Sequence, residues 1–83
     1  MTNLLQIGSI TESMRERLEA AFIIHQVDDF EAEKITHVVT NGHDGVSPKL
    51  MSSLRNLKVI SGYGVGYDAI DTVEAVRRGI VVT

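Results

Sequence analysis

Short apolar runs alternate with amphipathic stretches along the whole chain. Residues 4–7 (Leu-Leu-Gln-Ile) form a compact apolar run closed by Gly8, the pattern of a strand. Thr11 and Ser13 both suit a helix N-cap, and Ser13 with Glu16 has the spacing of a capping box. Met14, Leu18 and Ala21 then recur at i, i+4 and i+7, which predicts one buried stripe of a helix. Residues 22–24 (Phe-Ile-Ile) predict a second strand. Residues 27–34 are acidic and aperiodic, a turn with a short helical piece.

The β-branched run 36–40 predicts a third strand, which breaks at Asn41-Gly42. Ser47-Pro48 is a helix start, with Ser as the cap and Pro in the first turn. Leu50, Met51 and Leu54 supply its apolar face. Residues 57–61 predict a fourth strand and residues 62–66 a glycine-rich loop. Asp71 is placed to cap a third helix, with Glu74 three positions on. Val73 and Val76 are expected to face inward, Arg77 and Arg78 suit the negative end of the helix, and Gly79 stops it. Residues 80–82 predict a fifth strand. Strand and helix thus alternate throughout. The expected fold class is α/β, an open parallel sheet of about five strands with helices on both faces. Ligands in such folds sit beyond the carboxyl ends of the strands.

Size and charge narrow the functions. Eighty-three residues allow one domain, and a core this small leaves little margin of stability. Without cysteine there is no disulfide, thiolate zinc site or cysteine nucleophile. Eight basic residues, scattered, face eleven acidic ones, a balance that argues against nucleic acid. The longest apolar run is five residues, 20–24, so no membrane span is expected. The chain start lacks the features of a signal peptide, and the expected location is the cytoplasm. His25, His37 and His43 lack the spacing of a metal site. A triad of His43, Ser61 and Asp68 lacks a nucleophile elbow around the serine. The acidic stretch 28–33 does not make a phosphate-receiver site, because the first and third strands end at Gly8 and Asn41 rather than at acids.

The sharpest motif is Ser61-Gly62-Tyr63-Gly64-Val65-Gly66-Tyr67-Asp68. Alternate glycines between a strand and a helix permit close approach of a ligand to free backbone N–H groups, which favours an anion. Gly64-x-Gly66-x-x-Ala69 matches a dinucleotide fingerprint. However, Asp68 and Asp71 put carboxylates where the pyrophosphate would lie. A small carboxylate, needing only the amides of Gly64, Val65 and Gly66, fits better. A tight turn that binds nothing remains the plain alternative.

The run Leu57-Lys58-Val59-Ile60-Ser61, Gly64-Val65-Gly66-Tyr67-Asp68, Ile70-Asp71 and Arg78-Gly79-Ile80-Val81-Val82-Thr83 resembles the N-terminal substrate-binding domain of the D-2-hydroxyacid dehydrogenases. The hydroxypyruvate/glyoxylate and hydroxyphenylpyruvate reductase branch is the most similar. The resemblance implies a flavodoxin-like substrate-binding domain, an α/β open parallel sheet incomplete over residues 1–83, that pairs with a separate NAD(P)-binding Rossmann domain absent from this chain. NAD or NADP would be bound by that missing domain. The substrate, a small 2-oxo or 2-hydroxy acid, would place its carboxylate on the amides of Gly64, Val65 and Gly66. Asn41, Gly42 and His43 would line its side chain, and Asp68 and Asp71 would be structural. The parent is expected to be a homodimer. The catalytic Arg, Glu and His of the family have no counterpart here, so the chain alone is expected to bind without transferring hydride. A stand-alone module for a small carboxylate or phosphate is the alternative.

Overall fold

A computed structural model of the protein describes residues 2–41, 45–63 and 72–83. Five parallel strands, β1 (Thr2–Ile7), β2 (Phe22–His25), β3 (Ile35–Asn41), β4 (Val59–Tyr63) and β5 (Val81–Val82), form one sheet. Their order is β2-β1-β3-β4-β5, that of a flavodoxin-like doubly wound fold, so the expected α/β class is observed. Three helices, α1 (Glu12–Glu19), α2 (Pro48–Ser53) and α3 (Thr72–Arg77), connect the strands, and a 3₁₀ turn at Ala32–Lys34 is the short helical piece expected before β3.

Alternation along the strands separates two faces. One carries Leu5, Ile35, Val38 and Ile60 against Met51, Leu54, Ala75 and Ile80, which together form the buried core with α2 and α3. Leu4, His37, Val39 and Ser61 point to the other face, where Met14 and Leu18 of α1 approach them across a cavity of about 260 Å³. Helices therefore cover both faces, but unequally.

Several local expectations are corrected. Thr11, not Ser13, caps α1: its extended backbone aims Oγ1 at the Met14 N–H, 3.2 Å away, and Ser13 falls inside the helix. The stripe Met14-Leu18-Ala21 is only half realised, because α1 ends at Glu19 and Ala21 is exposed beyond it. Ser47 caps α2 as expected, accepting from the Leu50 N–H at 3.1 Å with Pro48 in the first turn. Val73 and Val76 do not face inward; they are 79% and 74% exposed. Ala75 is the residue α3 turns to the core, and at about 100° per residue Val73 lies on the opposite side of the helix. The fourth strand begins later and runs further than expected, so that Gly62 is a paired strand residue rather than the start of a loop. The predicted cap Asp71 lies outside the described residues.

Candidate functional site

Parallel register aligns the carboxyl ends of three neighbouring strands. Ile7 pairs with Thr40, and Thr40 with Gly62; one position further, Asn41 pairs with Tyr63. The connections after β3 and β4 thus leave the sheet side by side, about 5 Å apart at their bases. Gly8 ends β1 at the same edge, with a positive φ of 84° that turns the chain away. The Gln6 side-chain amide donates to the Gly8 carbonyl at 2.8 Å and holds that turn. Order reverses between β1 and β3, so this edge is the crevice in which doubly wound folds bind ligands.

Of the expected site residues, Asn41 is half-buried at the last position of β3. Gly42, His43, Gly64, Val65 and Gly66 lie outside the described residues, as do Asp68 and Ala69. The far foot of the β3 connection is well defined. Gly45 is buried with φ 65°, and Val46 enters the core. Thr40, fully buried, shares its hydroxyl between the Asn41 and Gly45 carbonyl oxygens, each 3.2 Å away. Sequence reasoning counted Thr40 only as a strand residue. Its signal was the period of two: Thr40 follows Val38 on the core face, where a hydroxyl needs partners.

The remaining charged and titratable groups sit elsewhere. His37 Nδ1 lies 2.9 Å from Thr36 Oγ1, and its ring packs 5.1 Å from Phe22 at the level of Leu4. His25 Nε2 lies 2.9 Å from Asn3 Oδ1. Helix α3 runs back from the carboxyl edge, so Arg77 and Arg78 lie toward the opposite edge, both paired with Glu74. Arg77 in particular holds the Glu74 carboxyl at about 2, well below the usual range. Among the described residues no group of acids and histidines could hold a metal. No described helix is long and apolar enough to cross a membrane.

Known proteins carry the same fold. Residues 5–83 match the family of D-isomer specific 2-hydroxyacid dehydrogenases, over its catalytic domain. The 2-ketogluconate reductase of Gluconobacter oxydans is 40% identical across 96% of the chain, which spans 27% of that enzyme's length. The structure of a 2-hydroxyacid dehydrogenase from Ketogulonicigenium vulgare Y25 superposes with a TM-score of 0.89 and 36% identity. It aligns with all of the chain and with 30% of its own. An NADPH-dependent glyoxylate/hydroxypyruvate reductase from Sinorhizobium meliloti, solved with NADP and malonate, gives a TM-score of 0.82 at 28% identity. That alignment takes in 99% of the chain and 27% of the reductase.

Proposed function

We propose that this chain, which belongs to the D-isomer specific 2-hydroxyacid dehydrogenase family, is the substrate-binding part of an NAD(P)-dependent enzyme that reduces small 2-oxo acids to 2-hydroxy acids. The substrate carboxylate rests on the backbone amides of Gly64, Val65 and Gly66. Asn41, Gly42 and His43 border the substrate's side chain. The observation that carries this reading is the register at the carboxyl edge. With Asn41 opposite Tyr63, the two candidate segments start from adjacent points of the sheet, as two walls of one site must.

The chemistry follows from the groups. Backbone N–H donors bind a carboxylate without adding a titratable group and fix its orientation before reaction. The anchors lie on paired strands, so the segments between them start from rigid positions. NAD or NADP supplies the hydride and is held by regions of the longer relatives that this chain does not match. With 27–30% of such an enzyme's length in the chain, the residues that polarise the carbonyl and deliver the proton are expected outside it too.

Amide NMR on the ¹⁵N-labelled chain tests this. Titration with glyoxylate, hydroxypyruvate and 2-ketogluconate should move the amide signals of Gly64, Val65 and Gly66 first and those of residues 41–43 next, with weak, millimolar affinity. Inorganic phosphate serves as the control for a general anion module. Shifts with phosphate equal to those with glyoxylate would favour the module without chemistry. Silence with all four would overturn both readings.

A further inference from the structure

We infer that Thr40 is a positioning residue: its hydroxyl ties Asn41 to Gly45 and so fixes where Asn41 stands toward a substrate. This rests on the substrate-binding reading above. Thr40 is the one polar residue in the buried set among the described residues, at 0% exposure. Burial alone does not call for a hydroxyl there; Val38, two positions earlier on the same face, fills its place with methyl groups. A hydroxyl in such a place is unfavourable unless it is paired. Thr40 Oγ1 donates to two carbonyl oxygens, one on the next residue and one five residues on, both at 3.2 Å. These belong to Asn41 and Gly45, the residues that bracket positions 42–44.

The surroundings make the tie specific. Gly45 has a positive φ and is buried, and Val46 beyond it is part of the core. Ser47 then caps α2. The chain therefore leaves the core at Thr40 and re-enters it within six residues, and a single hydrogen-bond donor spans the exit and the return. Both acceptors are main-chain carbonyls of the protein, so the hydroxyl acts through Asn41 and Gly45.

The test compares Thr40→Val, which keeps the volume, with Thr40→Ser, which keeps the hydroxyl, both in the full chain. Without ligand, Thr40→Val should speed amide exchange at residues 41–46 about fivefold, while the β1–β3 ladder below stays protected and Thr40→Ser stays within about twofold of the wild type. With glyoxylate, Thr40→Val should weaken binding about fivefold, and Thr40→Ser should restore it. If the valine variant does not fold, Thr40→Ala against Thr40→Ser makes the same comparison. A variant lacking the hydroxyl that melts lower yet keeps wild-type exchange at 41–46 and wild-type glyoxylate affinity would overturn the inference. Failure of the wild-type chain to answer glyoxylate would instead overturn the substrate-binding reading, and the exchange data separate the two failures.

Discussion

Glu74 shows how one carboxylate can be committed twice. Arg77 Nε donates to its Oε2 at 2.8 Å and Arg78 Nε to its Oε1 at 2.9 Å, and the Glu74 side chain is only 17% exposed. The Arg77 hydrogen bond is the main reason its pKa falls from 4.5 to about 2. The folded pKa lies below the unfolded one, so folding releases a proton from this group at intermediate pH. Its contribution to stability is therefore complete above about pH 4.5 and lost as pH falls toward 2. Melting followed by circular dichroism from pH 7 to 2 should show that loss in the wild type. Glu74→Gln should lower the melting temperature at pH 7 and flatten the acid limb; an acid limb as steep as the wild type's would refute the assignment. The sequence made Glu74 visible only as a partner for a cap at Asp71. Its spacing of three and four from two arginines was equally present, but spacing does not say which rotamers the helix surface allows.

Among elements, the helix starts and the strand pattern were the legible part. Thr11→Ala should cost about 1 kcal/mol, the usual loss of an N-cap, and Ser47→Ala a similar amount, whereas Ser13→Ala should cost almost nothing. Denaturant melts of the three variants check this ranking, and a large effect at Ser13 would mean that the helix starts there. Both Thr11 and Ser13 are good caps by type; the extended backbone at Thr11 is what makes it the cap, and residue type does not reveal it. Helix α3 was misread for a related reason. Six residues contain too few turns for a hydrophobic period to identify a face, so Val73 and Val76 looked like core when Ala75 is the contact. Lysine at Val73 or Val76 should leave stability within about 0.5 kcal/mol of the wild type. Ile60→Ala, which empties a site at the centre of the core, should cost about 2–5 kcal/mol.

For the whole molecule, the parallel sheet was implied by the βα alternation, because parallel strands force crossovers and crossovers bring the carboxyl ends to one edge. What the pattern could not supply was register, which alone puts Asn41 beside Tyr63. Nor could it show how unevenly the faces are covered. Helix α1 lies over the β2 side of its face, and Val81 on β5 is 56% exposed at the other side. Together with the edge of β5, the last strand of the sheet among the described residues, this surface should make the isolated chain associate weakly as its concentration rises. Sedimentation should show Val81→Lys suppressing that association; a tight dimer indifferent to the substitution would point to a different interface. The strand order has one more outcome. β1 comes first in the chain but sits inside the sheet, between β2 and β3. Leu5 meets Val38 only after roughly thirty more residues exist, a wait of a few seconds at about 5–20 residues per second on the ribosome. During synthesis β1 thus has one flank open after β2 has paired with the other, and a chaperone that captures short apolar runs has its opening there. In the folded sheet the same placement makes β1 and β5 unequal. Trimming β5 shortens a margin, whereas removing β1 parts β2 from the rest of the sheet.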